Sequence, residues 1–391
     1  MDPMIVLLII AAIYIVLYIV GKAIGANKLS ERGLEIGTPF FLMFKTERLN
    51  AFLTKMGKKF PKAFFNLGII VAFGGMAFGF WMFADNLLKF FIQPATAGGV
   101  VPIIPGVTIT GLPLYYMIIA LAVTLLTHEF AHGLASSRDD IPIKSSGLIS
   151  FFVLFGAFVE PDEEYFEKEA SPRARMRLLA AGSYANLLWG LVFLLIIANF
   201  TPMMMIAFNP PSGAYIYDVP SGTPAADATL QIGDVIIGLN DTTIESWNAV
   251  GVYMTDAEPG AALTIHRLDN YSLTVTLAEH EANASRGYIG VYGADYWEPK
   301  TGWEWIPGGP MYAFHMQQIL QWCFLILVSV AFFNLLPIPM LDGDKLLSNG
   351  LSLFIDDEKT IKLIMWPMRI LSLSIVLLSI GLTLWYGKAL F

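Results

Sequence analysis

The chain has 391 residues, of which 55% are hydrophobic and 14% charged, against roughly 45–50% and about 25% in ordinary soluble domains. Mean hydropathy is +0.60; so little polar surface cannot cover a soluble globule, and disorder and collagen-like order are excluded with it. A net charge of −8 argues against nucleic acid as a partner, and a single cysteine, Cys323, excludes disulfide scaffolds and cysteine-rich metal sites.

What remains is an α-helical polytopic membrane protein. A hydrocarbon core of about 30 Å takes about 20 helical residues. Apolar runs suited to crossing, with at most one Asp, Glu, Lys or Arg each, are Met4–Val20, Ala63–Ala84, Leu112–Ser136, Leu178–Met205, Gln317–Leu336 and Leu363–Tyr386, which predict about six transmembrane helices. The first has no basic residues before it and Lys22 after it, so it reads as an uncleaved anchor with its N-terminus outside. The stretch GLISFFVLFGAFV, Gly147–Val159, is short, aromatic and punctuated by glycine; it predicts a re-entrant pair of strands.

Lys and Arg set the orientation. They crowd the loop 25–62, the segment before the fourth run and the segment between the fifth and sixth, while 90–111 has none. The long segment 206–316 carries only Arg267, Arg286 and Lys300 among many carboxylates. Both termini and that segment are therefore expected outside a cell membrane, with the basic loops in the cytoplasm, a prokaryotic-type arrangement. Within the segment, 208–295 alternates short β-like runs (Ala214–Tyr217, Asp234–Leu239, Leu263–Arg267, Ser272–Leu277, Tyr288–Val291) with Gly, Pro, Asn and Asp turns. It reads as a small soluble domain inserted between membrane helices. The expected layout is then a first helix and basic loop over 1–62 and a membrane core over 63–207. The inserted domain occupies 208–295, a Trp-rich interfacial linker 296–316, and a second membrane part 317–391.

The third run ends in THEFAHG. On a helix His128 and His132, four residues apart, share a face and can reach one cation. Glu129 lies one residue along, placed to act as a general base without being a ligand; this is the HExxH arrangement of zinc hydrolases. Phe90–Thr127 holds no charged side chain, and ionisable groups at membrane depth are functional by default. A catalytic zinc usually takes three protein ligands. His266, His280 and His315 fall on the far side by the charge argument. At the end of the fifth run, NLLPIPMLDGD has Pro337 and Pro339 to break the helix, and Asp342 is expected to project from irregular backbone as the third ligand. Asp344 is the weaker choice. In the fourth run Gly182, Ala185 and Gly190 allow close packing. Asn186 reads either as an interhelical hydrogen bond or as a catalytic donor to a substrate carbonyl or oxyanion.

These separated patterns resemble the site-2 protease family of intramembrane zinc metalloproteases: HEFAHG, FFVLFGAFVEP, AAGSYAN and NLLPIPMLDG in that order. The inserted region, from VPSGTPAADATLQIGDVIIGLNDTTIESWNAV to EPGAALTIHRL, is similar to a PDZ domain of the bacterial protease type, which implies a small α+β fold. The resemblance implies one zinc on His128, His132 and Asp342, Glu129 as base, and cleavage within the bilayer. The implied partners are a membrane-protein substrate with a transmembrane helix, the lipid bilayer itself, and a peptide or substrate ectodomain at the PDZ-like domain. The strand-like segment 149–159 could hold an unwound substrate by edge pairing or serve as buried packing. Two rival readings are a non-catalytic PDZ-bearing scaffold and a metal transporter. An intact Glu129 argues against the first, and the lack of repeats and of several intramembrane carboxylates against the second.

Overall fold

In the computed structural model, which describes residues 3–31, 33–104, 108–151, 154–280 and 283–387, the chain divides into two units. One is Met1–Leu195 with Ile319–Phe391, the other Ile196–Gln318. The first unit opens with α1 (Pro3–Ile24) and α2 (Ala26–Ser30). Next comes a hairpin, β1 (Leu34–Thr38) and β2 (Phe41–Lys45), where the sequence suggests only a basic loop. Helix α3 (Glu47–Gly57) starts at Thr46, whose hydroxyl accepts from the Arg48 amide. Then come α4 (Lys62–Ile92), α5 (Gly111–Arg138), the strands β3 (Ile143–Phe151) and β4 (Leu154–Pro161), α6 (Glu163–Lys168) and α7 (Pro172–Ala198).

The expected strand pair is β3 with β4, antiparallel, with Gly147 opposite Phe158 and Ile149 opposite Gly156. Phe152 and Val153, between them, lie outside the described residues. The hairpin is part of a four-stranded sheet in the order β1-β2-β3-β4. The fourth apolar run continues in sequence to Met205, but α7 stops at Ala198 and a short α8 (Phe200–Met204) succeeds it. Pro202 explains the break, since it cannot donate to the carbonyl four residues back and its ring collides with it.

The second unit is built on β5 (Ala214–Asp218), α9 (Pro224–Asp227), β6 (Val235–Leu239), β7 (Thr242–Thr243), α10 (Trp247–Tyr253), β8 (Ala262–Arg267) and β9 (Ser272–Thr276). Strands β10 (Ala278–His280), β11 (Asn283–Tyr288) and β12 (Tyr292–Asp295) complete it. Its main sheet runs β12-β5-β6-β8-β9, with β7 on β6 and β10 paired to β11 apart. Alternation sets the faces: on β9, Leu273 and Val275 are buried between exposed Ser272, Thr274 and Thr276. Ile216, Ile236, Leu239 and Ile265 meet them in one core. Of the run expected as Tyr288–Val291, only Tyr288 lies in a strand, as the last residue of β11; the rest joins β11 to β12, because Gly290 at φ +83° turns the chain there.

The first unit resumes with α11 (Met311–Asn334), which begins in the second, then α12 (Asp342–Leu351) and α13 (Glu358–Trp385). Helices α4, α5, α7, α11 and α13 are long and apolar enough to cross a membrane, and α1 adds a shorter apolar stretch, Leu8–Ile24. That is the make-up of a multi-pass membrane protein. Buried Ala131 and Ala135 of α5 meet Ala181 of α7, so the two helices approach closely beside His132. One or more turns earlier, α5 packs Tyr116, Met117 and Ala120 against Trp322, Cys323, Ile326 and Leu327 of α11. α5 is thereby held between α7 and α11.

Candidate metal centre

His128 and His132 stand one turn apart on α5, with Nε2 atoms 3.0 Å apart and ring centroids 4.7 Å apart. The apolar contact with α11 carries that helix to Asn334, where the chain breaks at Pro337 and Pro339. Met340, 98% exposed at φ +79°, reverses it. The sequence puts Asp342 on irregular backbone; it is in fact the first residue of α12, after the extended Leu341. Gly343 lets α12 tuck under the end of α11, because a Cβ there would overlap the Leu335 carbonyl. The result puts Asp342 Oδ2 at 3.2 Å from both His128 Nε2 and His132 Nε2.

These three atoms fit a metal ion. A tetrahedral zinc with bonds near 2.0 Å holds its ligands about 3.3 Å apart, close to the sides of this triangle. The protons agree with that fit. His132 Nδ1 donates to the Leu178 carbonyl at 2.8 Å, which leaves a bare lone pair on Nε2 facing the carboxylate and the other ring. Neutral rings so placed turn their lone pairs, with the carboxylate, toward one point that a metal ion can occupy. Two imidazoles and one carboxylate are a donor set of catalytic zinc, with a fourth position left open. Asp342→Ala removes one of three ligands, so zinc carried by the purified chain should fall well below one per chain on elemental analysis. A full complement in that variant would move the third ligand elsewhere.

Glu129 stands outside the ligand triangle and its Oε2 accepts from the Val159 amide of β4 at 3.2 Å. Asn186, read from the sequence as either an interhelical hydrogen bond or a catalytic donor, is fully buried beside His128 and does bond across helices. Its Oδ1 accepts from Thr127 Oγ1 at 2.9 Å and its Nδ2 lies 3.3 Å from His128 Nδ1. With Nε2 on a metal, His128 Nδ1 carries the proton; the amide orients that ring when its oxygen faces Nδ1–H and its nitrogen faces Thr127 Oγ1, the two ends of an amide being interchangeable in shape. Asn334 is not singled out by the sequence, although it opens the NLLPIPMLDGD run. Its Nδ2 donates to Asp342 Oδ2 at 2.8 Å and lies 3.2 Å from His128 Nε2; a polar residue closing an apolar helix was the available signal. Gly182, a packing residue by its pattern, faces the site itself, since a Cβ there would lie 2.5 Å from His128 Nε2 and 2.6 Å from His132 Nε2.

Asp344, the weaker ligand choice, points away and pairs with Arg369. His266 Nδ1 is 2.8 Å from Ser272 Oγ, His280 packs on Tyr288 and His315 on Phe314. Among the described residues, His128, His132 and Asp342 alone form a group of three such side chains able to hold one ion.

Residues 116–375 match Peptidase family M50. A Methanocaldococcus jannaschii protein, "Uncharacterized protein MJ0971", is 30% identical over 248 residues, 63% of this chain and 57% of that one. A Treponema pallidum protein named "Putative zinc metalloprotease" is 25% identical over 135 residues, 34% of this chain and 29% of its own length. The chain thus covers less than two thirds of either relative. The PDZ domain of an SdrC-like protein from Listeria monocytogenes is similar over 21% of this chain and 87% of that domain, at 22% identity and a TM-score of 0.19. The family match takes in well over half the chain, with His128, Glu129, His132, Asn334 and Asp342 inside it: the chain belongs to Peptidase family M50.

Proposed function

We propose that this chain is a zinc-dependent intramembrane endopeptidase of the site-2 protease type, hydrolysing peptide bonds in the transmembrane segments of membrane proteins. One observation carries the reading. His128, His132 and Asp342 converge within 3.2 Å among helices able to cross a membrane, with Glu129 beside them. When bound, zinc supplies Lewis acidity that polarises a carbonyl and brings the pKa of water at the site toward about 7. Glu129 takes the proton released by the attacking water and passes it to the leaving amine. His132 is held by the Leu178 carbonyl and Asp342 by the Asn334 amide, so the ligands are set before substrate arrives. The test is cleavage of a single-span reporter by the purified chain in detergent, abolished by a chelator and restored by zinc. Cleavage that survives complete metal removal would overturn the reading.

A helical substrate hides its carbonyls in i→i−4 bonds and must unwind to be cut. β4 is the last strand of its sheet, and the Val159 amide turns away from β3 to meet Glu129. Period two puts Ala157 on the same edge. An unwound segment added as a strand there would run past the base, a β-augmentation. Val159→Pro deletes the N–H on that edge while sparing the pairing with β3. It should retain zinc and lose about 10²-fold in turnover, the scale of a misplaced reacting group. Unchanged turnover would take the substrate off this edge.

The inserted domain has PDZ-like sequence and few basic residues. The charge asymmetry supports an extracytoplasmic position for it, where it would bind or exclude the ectodomain of a substrate. Ser221→Cys should react with a membrane-impermeant maleimide from outside intact cells; labelling from the cytoplasmic side alone would reverse the topology.

A further inference from the structure

The apolar run Leu363–Tyr386 contains one charged residue before Tyr386, Arg369. It lies on α13 about 16 Å along from Glu358, at 1.5 Å per residue. A cation in such a span is costly unless paired. Its partner is Asp344, 6% exposed: Arg369 Nε donates to Oδ1 at 2.6 Å and the guanidinium NH2 to Oδ2 at 2.8 Å. This two-pronged bond fixes direction as well as distance.

Asp344 lies two residues beyond the metal-facing Asp342 on α12. At 100° per residue the two carboxylates leave the helix about 200° apart, one toward the imidazoles and the other toward α13. No side chain caps the N-terminus of α12; its first turn is held on the metal side by the Asn334–Asp342 bond and the close seat of Gly343 against the Leu335 carbonyl, and on the opposite side by the grip of Arg369 on Asp344. We infer that Arg369 is a positioning residue for the metal: by gripping Asp344 it fixes the rotation of α12 that brings Asp342 onto His128 and His132, and it withholds a second carboxylate from the cation. Neither the HExxH helix nor the LDG run contains this residue; it acts from the last span.

The inference rests on the metalloprotease reading, and the test separates the two. Zinc affinity is measured by competition with a chromogenic chelator in the unaltered chain, Arg369→Leu, Arg369→Lys and the double variant Asp344→Leu with Arg369→Leu. Cobalt spectra report the ligand geometry, and neither readout depends on hydrolysis. Arg369→Leu should weaken zinc about 10–100-fold, the range for groups that orient ligands. Arg369→Lys keeps the charge without the fork and should fall between. The double variant leaves no unpaired buried carboxylate, so it should fold even where the single one fails; it should still bind zinc weakly and show an altered cobalt spectrum. Unaltered zinc affinity and cobalt spectrum in the double variant overturn the inference, whatever the melting temperature does, because the pair would then serve stability alone. Failure of the unaltered chain to take zinc would instead sink the metalloprotease reading.

Discussion

Glu129→Gln should keep one zinc per chain and the unaltered fold, yet lose hydrolysis by at least about 10²–10⁴-fold, the usual contribution of a general base. The reasoning is geometric. Glu129 is absent from the triangle of His128, His132 and Asp342, so the substitution removes no bond to the metal. Gln has the same length, and its amide oxygen can accept from the Val159 amide as the carboxylate does now. What the amide cannot do is take a proton. His128→Ala and His132→Ala should behave oppositely, losing metal first and activity as a consequence. Elemental analysis and reporter cleavage on the same preparations separate the two kinds of defect. Normal turnover by zinc-loaded Glu129→Gln would end the hydrolytic reading of this site.

Legibility in the sequence tracks the range of the interaction. His128, Glu129 and His132 can be read because helical spacing is local and dictates which side chains share a face. Asp342 can be reached from its neighbours, since two prolines end a helix wherever they occur; that a new helix starts at Asp342 cannot, because it depends on Gly343 fitting under the Leu335 carbonyl. The β1–β2 hairpin is hidden for a similar reason. Its residues show too little alternation to announce strands, and Phe41–Lys45 is recruited by pairing with Gly147–Phe151 about a hundred positions away. Asn186 shows the limit on chemistry. A buried amide on a membrane helix has several uses, and only its 3.3 Å approach to His128 Nδ1 selects one. The pair Asp344–Arg369 joins residues 25 positions apart on different helices, beyond any local pattern.

Gly182→Ala should abolish stoichiometric zinc binding, while the same substitution at Gly190, eight residues along α7, should not. The sequence groups the two as small residues that let helices approach. Their surroundings differ. A Cβ at 182 would sit 2.5 Å from both Cε1 and Nε2 of His128 and 2.6 Å from His132 Nε2, inside van der Waals contact with the rings of both imidazole ligands. α7 cannot retreat to make room, because the Leu178 carbonyl is bonded to His132 and Arg177 grips Asp139, at the end of α5, through two bonds of 2.6 Å. The rings must then turn, which opens the ligand triangle, and zinc affinity should drop at least about 100-fold, the upper end of effects from outside the ligand set. At 190 the added methyl would meet Val328 Cγ2 at 2.8 Å, the end of a side chain that can rotate away. That is overpacking, expected to cost about 1–3 kcal/mol of stability and to leave one zinc per chain. Melting temperature and metal content, read together on both variants, distinguish the roles. Equal loss of zinc in the two would mean that the whole row of small residues acts through helix packing, and that Gly182 has no special place against the metal.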